Sequence, residues 1–263
     1  MVNYEPKSQY TCADLTDIVR LLRSPGGCPW DREQTHKSIR RDLLEEAYEV
    51  AEAIDQESPE HLREELGDLL LQVVFHAVLA QEEGLFDLDD VAGGICKKLI
   101  YRHPHVFGDV TVDSTGEVLK NWEELKKKEK HQSSQADAVD SVARSLPALW
   151  RAEKVQKKAA KVGFDWPDVS GALDKVFEEA GELRDAMAGN GNAEEEFGDL
   201  LFAAVNVGRF LKLDPEASLT AATDKFAARF RRVEDAARAE GKKLEDMTLA
   251  EMDALWDKSK KQA

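Results

Sequence analysis

Apolar positions recur at three- and four-residue spacing along most of the chain, and no stretch of useful length shows the strict alternation of a strand. From Asp42, the residues Leu43, Leu44, Ala47, Val50, Ala51 and Ile54 mark one face of an amphipathic helix that Ser58-Pro59 ends. A second helix starts near Pro59, runs through Leu66, Leu69, Leu70, Val73, Val74 and Ala77, and meets a stop at Gly84. Between Leu69 and Ala80 it is apolar nearly all round, so it needs cover on several sides, from a multi-helix bundle or another subunit. The pattern predicts an all-α protein.

A turn-rich junction, Ser24-Pro25-Gly26-Gly27-Cys28-Pro29-Trp30-Asp31, separates this pair from a first short helical pattern. After Pro147 the order repeats: a helix, Gly163-Phe164-Asp165-Trp166-Pro167, a helix around Val176-Phe177, the turn Gly189-Asn190-Gly191-Asn192, and a long apolar helix from Glu195 to Leu211. Leu44-Glu45-Glu46-Ala47-Tyr48-Glu49 overlays Phe177-Glu178-Glu179-Ala180-Gly181-Glu182, and Glu64-Glu65-Leu66-Gly67-Asp68-Leu69 overlays Glu195-Glu196-Phe197-Gly198-Asp199-Leu200. The offsets, 179 − 46 = 133 and 196 − 65 = 131, differ only by the length of one turn, as duplication of a helical module requires. We expect two duplicated helical-bundle modules, residues 1–110 and 142–263. The linker, 111–141, carries lysines alternating with glutamates on a solvated helix face.

Composition narrows the partners. A chain of 263 residues with 42% hydrophobic content can bury two cores, and its net charge of −16 repels nucleic acid. A small anionic substrate therefore needs a metal ion. No segment approaches the length of a membrane span, and Cys12, Cys28 and Cys96 suit reduced structural thiols, so the expected compartment is the cytoplasm.

The candidate chemistry is the duplicated acidic motif, E-E-x-x-E followed by E-x-x-D. Glu46 and Glu49, like Glu65 and Asp68, stand three apart and project from neighbouring positions of one helix, and two such helices side by side gather four carboxylates. Alone, either pair reads as a solvated face, and Glu49 and Asp68 point away from the centre of their apolar stripes. Two features favour function: the set recurs as Glu179, Glu182, Glu196 and Asp199, and each E-x-x-D encloses a glycine, Gly67 or Gly198. A helix-interior glycine costs about 0.5–1 kcal/mol relative to alanine, so one kept at the same spot twice implies close approach of a backbone or ligand. Clustered carboxylates without histidine or cysteine are hard oxygen ligands suited to Mg²⁺ or Mn²⁺. Glu33-Gln34-Thr35-His36 is an unpaired E-x-x-H, which argues against a di-iron site, and no phosphate-binding G-x-x-x-x-G-K-[S/T] loop occurs. The chemistry implied is phosphoanhydride hydrolysis.

The same residues resemble the MazG proteins, two-domain bacterial nucleoside triphosphate pyrophosphohydrolases of the all-α NTP pyrophosphatase superfamily. The likeness also rests on Gly26-Gly27-Cys28-Pro29-Trp30-Asp31 with Gln34-Thr35-His36, on His103-Pro104-His105-Val106-Phe107, on Ser145-Leu146-Pro147-Ala148-Leu149 and on Val162-Gly163-Phe164-Asp165-Trp166. It implies a homodimer that cleaves nucleoside triphosphates between the α and β phosphates, giving the monophosphate and pyrophosphate with Mg²⁺ and serving to clean or regulate nucleotide pools. It credits catalysis to the C-terminal module: metal ligands Glu179, Glu182, Glu196 and Asp199, with Glu178 beside them in the catalytic set. Nucleotide contacts carry over onto Lys175, Glu178, Glu195, Lys225, Arg229 and Trp256, the last able to stack on a base. Glu46, Glu49, Glu65 and Asp68 stand as a possible second metal site. The alternative is a non-catalytic helical dimer that senses nucleotides or docks a partner. Asn206, His76 and Gln72 lie within apolar helices, where a core hydrogen bond explains each as well as a ligand does.

Overall fold

The computed structural model describes residues 4–129 and 134–260, and among these it is all-α. The chain forms two compact units, residues 1–126 and 127–263. The first contains α1 (Cys12–Arg23), α2 (Pro29–Glu33), α3 (Arg40–Asp55), α4 (Pro59–Glu82), α5 (Leu88–Arg102) and α6 (Pro104–Phe107). The boundary falls inside α7 (Thr115–Glu129). The second unit contains α8 (Gln135–Asp140), α9 (Ala148–Ala160), α10 (Val169–Met187), α11 (Ala193–Phe210), α12 (Pro215–Ala239), a 3₁₀ turn at Leu244–Asp246 and α13 (Leu249–Lys260). The segment 111–141, expected as a linker, thus carries two helices of its own.

The helix ends follow local chemistry. Ser58 caps α4 by accepting from the His61 amide at 3.3 Å, with Pro59 at the first helical position. Gly84 ends it at φ +71°, a left-handed conformation that glycine adopts without Cβ strain. Asn192 caps α11, and Glu194, Glu195 and Glu196 fill its first turn, where they complement the helix dipole. In each unit two helices pair side by side, α3 with α4 and α10 with α11. These hairpins carry the acidic motifs, while α1 supports α4 and α9 supports α11.

The core of the first unit gathers Val19 of α1, Ile39, and Val74, Phe75, Val78 and Leu79 of α4. Of the helix that reads as apolar all round, only the second half is enclosed; Leu66, Leu70 and Val73 remain exposed. His76 finds its core partner in His36: the rings stack 3° from parallel, with their Nδ1 atoms 2.8 Å apart. One ring must donate and the other accept. Burial and the neighbouring His36 lower the pKa of His76. In the second unit, Val233 and Ala237 of α12 close on Met247 and on Leu255 of α13, with Trp256 packed against them. Among the described residues no helix is long and apolar enough to cross a membrane.

Candidate metal and nucleotide site

Pairing of α10 with α11 brings Glu179, Glu196 and Asp199 together, each offering a carboxylate oxygen within 4.8 Å of the others. The first unit does the same with Glu46, Glu49 and Glu65. The fourth member stands beside each trio. Asp68 raises the pKa of Glu46, after burial as the main cause, and Glu182 is itself pushed up by hydrogen bonding to the Glu179 carboxylate, by burial and by the nearby Glu196. Glu65 is raised by burial and by Glu49, which its ion pair with His61 only partly offsets. Unneutralised carboxylates this close favour protonation.

The two clusters are not equally enclosed. The difference lies in one residue: Glu179 is 5% exposed whereas its counterpart Glu46 is half-buried, while Glu196 and Glu65 are both half-buried and Glu182, Asp199, Glu49 and Asp68 are all exposed. One Glu179 oxygen takes the Lys175 ammonium at 2.6 Å, and Lys175 also donates to Glu178 at 2.8 Å, which raises the lysine pKa. The other oxygen, Oε2, is buried with no hydrogen-bond partner. A buried carboxylate oxygen without a donor costs a few kcal/mol, and a cation shared with Glu196 and Asp199 could satisfy it. An all-carboxylate donor set fits a hard divalent ion.

Glycine in the motif does not relieve crowding within the chain. A Cβ at Gly67 or Gly198 would meet no heavy atom within 4 Å. Among the described residues the close approach expected at these glycines is therefore not seen.

The remaining nucleotide candidates lie on other elements. Lys225 and Arg229 sit one turn apart on α12 and form no ion pair among the described residues. Trp256 of α13 leans on Phe226 at 5.1 Å between ring centroids, so it is partly a core residue and shows only part of its indole. Glu195 is exposed in the first turn of α11. Residues that motif reading left out are those around Asn206: its Oδ1 accepts from Arg209 Nε at 2.9 Å, and Arg209 pairs with Asp165. Nothing in the spacing of Asp165 and Arg209, 44 residues apart, announces that pair.

The raised carboxylates predict how metal couples to stability. A folded-state pKa above the unfolded value gives stability that is complete below the unfolded pKa and is lost as pH rises through the folded one. Glu46, Glu65 and Glu182 should therefore stabilise the chelator-treated protein as pH falls from neutrality towards the ordinary glutamate value of 4.5, and saturating divalent metal, by displacing those protons, should remove the trend. His76, whose lowered pKa acts in the opposite direction over the same range, cancels in the difference between the two melting curves. Asp14 and Glu251 do not interfere. Lys7 and the Thr11 amide hold the first at about 2, the Thr248 amide and Lys242 the second, so both stay ionised throughout. Identical pH dependence with and without metal in differential scanning calorimetry would contradict the assignment.

Known proteins match this chain over nearly its whole length. The MazG nucleotide pyrophosphohydrolase domain matches residues 34–107, over the first acidic cluster. A nucleoside triphosphate pyrophosphohydrolase of Escherichia coli K12 is 47% identical over 94% of this chain and 96% of its own length. The nucleoside triphosphate pyrophosphohydrolase/pyrophosphatase MazG of Thermotoga maritima is 46% identical over 94% of each chain. A crystal structure of a mazG-related protein from Thermotoga maritima matches 44% of this chain and 98% of its own at 32% identity, with a TM-score of 0.38. Near-complete mutual coverage at almost half identity, on a chain that twice gathers the same carboxylates, places this protein in the MazG nucleoside triphosphate pyrophosphohydrolase family.

Proposed function

We propose that the chain hydrolyses nucleoside triphosphates between the α and β phosphates, releasing the monophosphate and pyrophosphate, and that the second acidic cluster does the chemistry with Mg²⁺. The observation that carries this reading is the buried, unpartnered Oε2 of Glu179 beside Glu196 and Asp199. When bound there by Glu179, Glu182, Glu196 and Asp199, Mg²⁺ supplies charge neutralisation for phosphate oxygens and lowers the pKa of water. Lys175 orients Glu178 and Glu179 through its two ion pairs. Lys225 and Arg229, which form no ion pair among the described residues, have the chemistry to grip phosphate oxygens, and the guanidinium can do so with two parallel hydrogen bonds. Mn²⁺ suits the same oxygen donors.

The test is product identity. Purified protein with Mg²⁺ and each common nucleoside triphosphate should give pyrophosphate and no orthophosphate by ³¹P NMR, and in H₂¹⁸O the label should enter the monophosphate. Orthophosphate as product would place the cut elsewhere, and label in pyrophosphate would move the attack from the α to the β phosphorus. Nucleotide binding without turnover would instead make the chain a sensor.

The working unit is a homodimer. Phe177, Phe197 and Leu201 are exposed beside the second cluster, Phe177 at 67%, and their repeat counterparts Leu44, Leu66 and Leu70 are exposed beside the first. Apolar stripes kept at matching positions of both hairpins are surfaces that a second copy covers. Phe197→Asp should halve the mass seen by light scattering and leave the helical circular dichroism unchanged; an unaltered mass would remove this face from the interface.

A further inference from the structure

The segment from Ser24 to Ser38, which joins α1 to α3 and contains α2, is fastened first to α1. The Cys28 amide donates to the Leu22 carbonyl at 2.8 Å, and Gly27 lies so near that a Cβ there would come within 2.3 Å of the same oxygen. Further on, Arg23 Nη1 donates to the Asp31 and Gln34 carbonyls. The far end meets α4 through His36, whose contact with His76 is, among the described residues, the segment's one side-chain hydrogen bond to that helix. Ile39 follows, buried in the core at 3% and leading into α3. By the offsets of the two hairpins the counterparts of the histidines are 36 + 133 = 169 and 76 + 131 = 207, both valines, so nothing titrates at that place in the second unit.

The proton in this contact can be placed. Nδ1 atoms 2.8 Å apart require one N–H and one lone pair. His76 Nε2 is buried with no partner, and a buried N–H without an acceptor is the costlier orphan. The His76 proton therefore sits on Nδ1 and is donated to His36 Nδ1, while the half-buried His36 carries its own proton on Nε2.

In that arrangement a further proton has no good place. On His36 it can go only to Nδ1, which sets two N–H groups against each other and breaks the bond. On His76 it goes to Nε2, where a charged donor is buried with nothing to receive it. Charged side chains on the elements packed there include Arg23 of α1, Asp31 and Glu33 of α2, Lys37, Arg40 of α3 and Glu82 of α4. Arg23 and Glu82 pair with each other, and only burial and His36 act on His76, both lowering its pKa. His76 thus binds its proton more weakly in the folded chain, so the stability it brings is complete above the ordinary imidazole value of 6.5 and is lost as pH falls below it.

We propose that the His36–His76 contact is an acid-sensitive latch: one shared proton holds residues 24–38 and the start of α3 against α4, and a further proton releases them, in the first unit alone. The latch stands apart from the pyrophosphohydrolase reading of the acid clusters.

Amide hydrogen exchange of the full-length protein, read by mass spectrometry from about pH 8 to about pH 5 and corrected for intrinsic rates, tests it. Protection of residues 24–39 should fall about tenfold or more across that range, while residues 161–169 of the second unit keep theirs. His36→Asn puts an amide oxygen, which does not titrate, where Nδ1 stood, and its segment should stay protected down to about pH 5. Selective ¹⁵N labelling of the histidines needs no variant. In the parent, ring nitrogen shifts near neutrality should show His76 protonated on Nδ1 and His36 on Nε2, and His36 should gain its second proton as the segment loses protection. His76 protonated on Nε2 alone overturns the proposal. So does protection of 24–39 that persists to about pH 5, or a loss matched at 161–169 or equal in His36→Asn. Should His36→Asn misfold, parent exchange and the ring shifts decide by themselves.

Discussion

Replacing Glu179 or Asp199 with alanine is expected to lower pyrophosphate release by about a hundredfold or more, while alanine at Glu46 or Asp68 leaves most of it. Both pairs belong to the same repeated motif, so the difference comes from their surroundings. Asp199 and Asp68 are both exposed, so the difference rests on Glu179, which is buried, shares its charge with Lys175 and keeps one oxygen without a partner, whereas Glu46 is half-buried. Charge held in a water-poor site acts on a developing transition state far more strongly than charge in solvent. The measurement is kcat/KM for the four alanine variants, with melting temperatures to confirm folding. Removing one of several like charges should not lower those temperatures. Equal losses from both clusters would show that the two units share the chemistry.

Phe75→Ala should destabilise the first unit by about 3–5 kcal/mol, the range for removing a buried aromatic ring and leaving its cavity. Phe75 sits in the core with Val19, Val74, Val78 and Leu79, and its ring also carries the Arg23 guanidinium. Arg23 is further tied to Glu82 at 2.7 Å and to the carbonyls of the loop before α3, so the truncation loosens that loop as well as the core. A urea titration followed by circular dichroism should show an earlier first transition, with the activity of the second unit retained below it. A shift smaller than about 1 kcal/mol would mean that the core collapses around the space.

The acidic hairpins were legible from local rules. Serine and proline at 58 and 59, glycine at 84 and asparagine at 192 set helix ends because they satisfy or release backbone groups within one turn. Three-residue spacing put each carboxylate pair on one side of its helix, and the constant offsets revealed the duplication. Segment 111–141 was harder to read. Its alternating charges announce a solvated helix face; α7 forms there, but Glu123, Lys126 and Glu129 are half-buried while Glu124 and Lys128 are exposed, and the short helix α8 is set by the Ser134 capping box rather than by any apolar period.

What the amino-acid sequence determined by itself is the all-α class, the twofold repeat, the positions of the four-carboxylate sets and the kind of ion they suit. All of these follow from periodicity and side-chain chemistry, which act over a few residues. Only the tertiary structure decided that the repeats are unequal. The orphaned oxygen of Glu179, the bond from Gln156 Nε2 to the Phe202 carbonyl, and the Asp165–Arg209 pair arise between residues tens of positions apart or from burial by other helices. Desolvation depends on what packs around a group, and a helical period records which side of a helix is apolar without recording what covers it.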